Sequence, residues 1–222
     1  MKGGLAVGLV LLTVSAWPLF LMGRELAARR AVQDRYQFEG ISGVSDRIGT
    51  TEVRLKDNVP GSDSGRLKVK GPIKIEIGGK DFSVSSPIGI RPHYSDIDRY
   101  QGFAHLVRAR DTSEGASYLV VMQNLGTGGK VPFFPNVRWR ALWVNESGSV
   151  REDVFGYQDR CSPPVRSWLA NWVSPTLMGC HSDLMQGTPN LLYPLLYPWV
   201  SGAVGLLLVL IFGTTVALRA LR

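Results

Sequence analysis

Side chains able to do covalent or metal chemistry are few in this sequence of 222 residues: three histidines, His93, His105 and His181, and two cysteines, Cys161 and Cys180. Metal binding needs ligands at helical or turn spacing, and neither HExxH, HxxxH nor CxxC occurs. A zinc site on Cys161, Cys180 and His181 would have to borrow a fourth ligand. Cys180 beside His181 has the composition of a nucleophile and its base, but sequence neighbours in a turn rarely face each other. The cysteines fit a disulfide better. With 18 residues between them, a bridge restricts the unfolded chain and contributes about 3 kcal/mol.

Asp96 and Asp98 in HYSDIDRY would share one face of a strand, a geometry for calcium or acid–base work, and are read as solvated loop acids. Gly126, Gly128 and Gly129 in LGTGGK satisfy neither the P-loop nor the dinucleotide pattern, so this segment is read as a hairpin loop. Asn145-Glu146-Ser147 is a glycosylation sequon, of consequence only in a secretory route. With no serine elbow and no cofactor fingerprint, the chain is expected to be non-catalytic, with no metal and no cofactor.

The elements that must position these residues are marked by where charge is missing. The chain carries 25 Lys and Arg against 18 Asp and Glu and is 45% hydrophobic, yet no charged residue lies in 3–23 or in 184–218. The run GGLAVGLVLLTVSAWPLFLMG is long enough, at 1.5 Å per residue, to cross a hydrocarbon core of about 30 Å. WVSGAVGLLLVLIFGTTVAL near the C-terminus is equally long. A cleaved signal peptide needs a small-x-small site where WPLFLMGREL places bulky residues, and a soluble core helix is seldom uncharged all round. Transmembrane helices are therefore expected at 1–23 and 199–218, a juxtamembrane helical extension at 24–38 and a basic tail at 219–222.

Gly4 with Gly8, and Ser201 with Gly205, recur at four-residue spacing and give each helix a face for the close approach of another span. Tyr193, Tyr197 and Trp199, with Trp17, suit the headgroup level, and Arg24, Arg29 and Arg30 suit anionic headgroups. Neither span contains an ionisable residue, so these helices alone supply no proton or ion relay. Flanking positive charge nearly balances across them. A long translocated domain is indifferent to its own charges, and two cysteines suit an oxidising compartment. The expectation is a bacterial inner-membrane protein with both termini cytoplasmic and residues 24–198 periplasmic.

Between the spans the apolar pattern changes to period two. Val53 and Leu55 alternate with Glu52, Arg54 and Lys56; Leu67 and Val69 alternate with Arg66, Lys68 and Lys70; Ile73, Ile75 and Ile77 alternate with Lys74 and Glu76. PGSDSG and Gly78-Gly79 supply turns, and further strands are expected at 104–110, 117–123, 137–145 and 149–157. The fold class is mainly β, an antiparallel sandwich or small barrel at 39–160 inserted between two transmembrane α-helices.

A cysteine-bracketed amphipathic helix is expected at 161–183. Ser162 would be its N-cap, Pro163 and Pro164 its first turn, Val165, Trp168, Leu169, Trp172 and Val173 its apolar face, and Ser174-Pro175 its end. That face could pack on the sheet, lie in the membrane interface or meet a partner. A Pro- and Tyr-rich interfacial connector with two Leu-Leu-Tyr-Pro copies fills 184–198.

The basic excess of the middle is small and interspersed with acids, which argues against nucleic acid. The leading expectation is a non-catalytic accessory or structural subunit of a larger membrane complex, with other membrane subunits and membrane lipids as partners. An alternative is a membrane-anchored β-domain that binds a lipid or envelope glycan in an apolar or aromatic-lined cavity. A third is an envelope hydrolase or thiol enzyme.

Overall fold

In the computed structural model the described parts of the uncharged runs are helical and the described period-two segments form strands. It describes residues 2–56, 74–83, 104–126, 136–174, 177–182 and 195–220. The chain divides into two compact units, residues 1–28 with 177–222, and residues 29–176.

The second unit is β-rich. Its described strands, all antiparallel, are β1 (Tyr36–Ile41), β2 (Ser45–Ile48), β3 (Thr51–Lys56), β4 (Lys74–Ile77), β5 (Lys80–Asp81), β6 (Ala104–Asp111), β7 (Ser117–Gly126), β8 (Arg138–Asn145) and β9 (Val150–Gly156). They make a five-stranded sheet, ordered β1-β6-β7-β8-β9, and a four-stranded sheet, ordered β2-β3-β4-β5. Among the described residues these sheets are separate, and no closed ring of the barrel alternative forms. Gly78 and Gly79 hold φ of +56° and +79° and close the tight hairpin that the sequence requires there. The strands expected around Leu67, Val69 and Ile73, the PGSDSG turn, His93, Asp96, Asp98, Gly128, Gly129, Tyr193 and the first Leu-Leu-Tyr-Pro copy lie outside the described residues.

β1 and β2 escape the sequence reading because YQFEGI and SDRI alternate weakly as edge strands. The helix before β1 ends at Arg35, not at residue 38. A distant loop decides that stop. Thr112 donates through its Oγ1 to the carbonyls of Asp34 and Arg35, both at 2.8 Å, and through its N–H to Arg35 at 2.7 Å. These are carbonyls that a helix C-terminus leaves without intrahelical donors.

One apolar cluster joins the two sheets: Val53, Ile75 and Ile77 from β3 and β4 meet Leu106, Leu119, Val121, Leu142 and Val144 from β6 to β8. Arg140 is buried among them at the sheet end, donating to Glu152 at 2.7 Å and to the Phe82 carbonyl at 2.6 Å. The other face of the five-stranded sheet is covered by a short helix, α2 (Val165–Ala170), and the 3-10 turn Asn171–Val173. With cover on both faces, β7 and β8 bury almost every residue and lose the alternation of a half-buried strand.

The first unit is built on two antiparallel helices, α1 (Lys2–Arg35) and α3 (Ser201–Ala220). Both are long and apolar enough to cross a membrane. A wide helical turn at Leu195–Val200, extended at Tyr197, precedes α3.

Candidate functional site

The small residues singled out by spacing meet each other. Gly4 lies under the Phe212 ring, where an added Cβ would sit 2.5 Å from it. A Cβ at Gly8 would sit 2.9 Å from Leu208 and 3.1 Å from the Gly205 carbonyl, and one at Gly205 would sit 2.9 Å from the Leu12 nitrogen. Ser201 shares a 2.8 Å hydroxyl contact with Ser15. The faces expected to receive other spans therefore receive one another, because glycine and serine let the two backbones approach closely.

One polar contact in this pair answers a defect in α1. Pro18 has no N–H, which leaves the Val14 carbonyl, four residues earlier, without its helical donor. The Tyr197 hydroxyl donates to that carbonyl at 2.8 Å. Tyr197, expected at a headgroup interface, thus completes the hydrogen bonding of the opposite helix.

Long apolar side chains point away from this contact. Val10, Trp17, Phe20, Leu207, Ile211 and Leu218 are all exposed, and Trp199 is 55% exposed. Along one side of the pair runs an apolar groove of about 340 Å³, floored by Ser15, Ala16, Gly202 and Ala203 and rimmed by Leu12, Leu19, Trp199 and Leu206. Near the polar end of α1, Arg24 lies 6.0 Å over the Phe20 ring. Glu25 is buried, accepting a 2.7 Å hydrogen bond from the His181 backbone N–H. Met178, Gly179, Cys180 and Ser182 are buried in the same stretch. Composition alone could not single out Glu25, which reads as one more flanking charge. Arg29 is half-buried and Arg30 exposed.

Within 161–183 the helix is short, and it ends where Ser174-Pro175 was expected to stop it. Its N-cap is Pro164, with no side-chain capping bond, rather than Ser162, and its last turn ends at Val173. Val165, Leu169 and Val173 are buried on the sheet, Trp168 stacks on Phe38 at 6.2 Å, and Trp172 stacks on His105 at 5.3 Å and 9°. Gly40 makes room for the Trp172 ring, since a Cβ there would come within 2.5 Å of it. Asn124 ties the segment down, donating to the Val173 carbonyl at 3.1 Å while accepting from Gly126 at the β7 register shift. Burial pushes the His105 imidazole below its ordinary pKa, and its Nε2 is buried with no hydrogen-bond partner among the described residues. Of the three placements open to this apolar face, packing on the sheet is the observed one.

The structure holds no Cys161–Cys180 disulfide; Cys161 is half-buried and Cys180 buried. The helix expected between them is brief, and the two cysteines belong to different compact units. Among the described residues no group of three or more His, Cys, Asp and Glu side chains is placed to hold a metal ion. Asn145 of the sequon is occupied in its own turn, its Oδ1 accepting from Ser147 Oγ at 2.7 Å and from the Ser149 N–H at 2.9 Å.

Among the described residues of the β-rich unit, Asp111 stands in a setting that strongly favours its anion. The Ser113 hydroxyl and the Arg35 guanidinium, at 2.9 Å, hold its carboxyl down at about 2. It joins the end of α1 to the β6–β7 turn.

Comparison with protein-family models, with curated proteins and with solved structures finds no match.

Proposed function

We propose that this protein is a non-catalytic accessory subunit of a larger membrane complex. Its two apolar helices cross the bilayer as a hairpin, and its β-rich unit, read as a sandwich on the far side from both termini, contacts partner proteins. The observation that carries this reading is the inverted packing of the helix pair. Glycines and serines line the contact, with Phe212 and Leu208 packed on the glycines, while many other long aliphatic side chains point outward, an arrangement favoured where the surroundings are hydrocarbon. The groove along the pair keeps a small-residue floor open to a third helix from a neighbouring subunit.

Filling that floor tests the proposal. Ala203→Trp, with Ala16→Trp as a second variant, should leave the chain resistant to alkaline carbonate extraction while shifting it, on gentle solubilisation at native expression levels, from a higher-mass assembly to the mass of a single chain. Wild-type protein that runs as a lone monomer under those conditions, or that carbonate washes from the membrane, overturns the proposal.

A further inference from the structure

The two sheets do not cover each other completely. Between β2 and the inner face of β1, β6 and β7 a cleft of about 530 Å³ opens within the β-rich unit. Antiparallel register sets its floor. Gln37 pairs with Arg110, and Arg110 with Ser117, so an amide, a guanidinium and a hydroxyl stand side by side on one face. Neighbouring Cβ atoms in such a row are about 4.5–5.5 Å apart. The next row inward is Glu39, Arg108 and Leu119.

The two arginines are in different situations. Arg108 is already satisfied, its Nε and Nη2 donating to both carboxylate oxygens of Asp46 across the sheets at 2.8 and 2.7 Å. Arg110 has no acidic, carbonyl or aromatic partner among the described residues. It stands on the face that carries Leu106 into the core, where strand periodicity alone favours an apolar residue. A planar fork of N–H donors flanked by two further side chains able to donate matches a tetrahedral oxyanion, whose oxygens accept several hydrogen bonds at once. Glu39, one row inward, repels a second negative charge, which confines the anionic group to the Arg110 row. The cleft also falls in the range of about 300–1,000 Å³ usual for small-molecule sites, so the anion comes attached to a larger body.

We infer that the row Gln37–Arg110–Ser117 binds the phosphate group of a small phosphoester, with Arg110 as its bidentate partner. The chemistry is the same whether the phosphate belongs to a soluble ester or to a glycerophospholipid headgroup. It does not depend on the helices forming part of a complex.

The test is calorimetric titration of the full chain, in nanodiscs of phosphatidylcholine, with glycerol phosphate. Saturable binding is expected, weakened about 10- to 100-fold by Arg110→Gln, the range for losing a hydrogen bond to a charged group. Arg151→Gln, which removes a β9 arginine lying 5.2 Å from the Trp143 ring of β8, should leave binding unchanged. If Arg110→Gln fails to fold, as judged by thermal melting, Arg110→Lys removes the fork, keeps the charge and should still lose affinity. Repeating the titration in discs containing phosphatidylglycerol separates the sources: weakened binding by competition assigns the site to a lipid headgroup, and unchanged binding assigns it to a soluble ester. No saturable binding, or equal losses for Arg110→Gln and Arg151→Gln, overturns the inference.

Discussion

Replacing Tyr197 with Phe removes one oxygen from the helix pair and leaves the ring in place. That oxygen donates to the Val14 carbonyl at 2.8 Å, and the helix cannot supply a substitute because residue 18 is proline. Interhelical polar contacts in membranes average about 0.6 kcal/mol and reach about 1.7, since the separated helices usually find other partners. Here the usual competitor, the N–H of residue 18, does not exist, so the cost belongs near the top of the range, about 1.5 kcal/mol or roughly tenfold in the unfolding equilibrium. Restoring the donor should erase most of it. In a Pro18→Leu background the residue 18 N–H serves Val14, and Tyr197→Phe should cost no more than about 0.5 kcal/mol. The measurement is a double-mutant cycle of SDS-driven unfolding in mixed micelles, followed by the fluorescence of Trp17 and Trp199. Equal costs in the two backgrounds, or none in either, would refute the proline–tyrosine pairing.

Other outcomes follow from the same geometry. Gly8→Leu or Gly205→Leu should loosen the helix pair by about 1–3 kcal/mol through overpacking, whereas Gly213→Leu, where nothing lies within 4 Å of the added Cβ, should be neutral in the same micelle assay. Leu169→Ala, at a fully buried site on the sheet-facing side of α2, should cost the β-rich unit about 2–5 kcal/mol, read by chemical denaturation. Asp111 gives that unit an acid limb. Its carboxyl is held at about 2 in the folded chain against an ordinary 3.8, so on acidification the unfolded chain takes up the proton first. The stabilisation is complete above about pH 4 and is lost as pH falls toward 2, and Asp111→Asn should flatten that dependence in melting curves collected across the window.

The sequence reading succeeded where one local pattern answers to one surrounding medium, and failed where a partner far along the chain had a vote. Six of the nine described strands, β3, β4 and β6 to β9, were legible in the sequence, β3 and β4 from alternation, and the Gly78-Gly79 hairpin from its need for positive φ. β1 and β2 were not, because an edge strand with one weakly buried face has little alternation to show. The amphipathic helix was legible in its apolar spacing from Val165 to Val173 and in its stop at Ser174-Pro175, while its start was not, because Pro164 rather than Ser162 is the N-cap. Glu25 looked like a flanking charge until the 177–182 stretch was seen to bury it.

What the sequence determined by itself is the division of the chain into two uncharged helices around a β-rich middle. Removing charge from about twenty consecutive residues, or alternating it every second residue, selects the backbone whose period places those side chains in compatible surroundings. Only the tertiary structure decided who meets whom. Gly8 against Gly205, Tyr197 on the carbonyl that Pro18 abandons, and Gln37, Arg110 and Ser117 in one row all depend on helix approach and strand register. Those are settled by the free energy of packing whole elements together, and no short window of residues contains it.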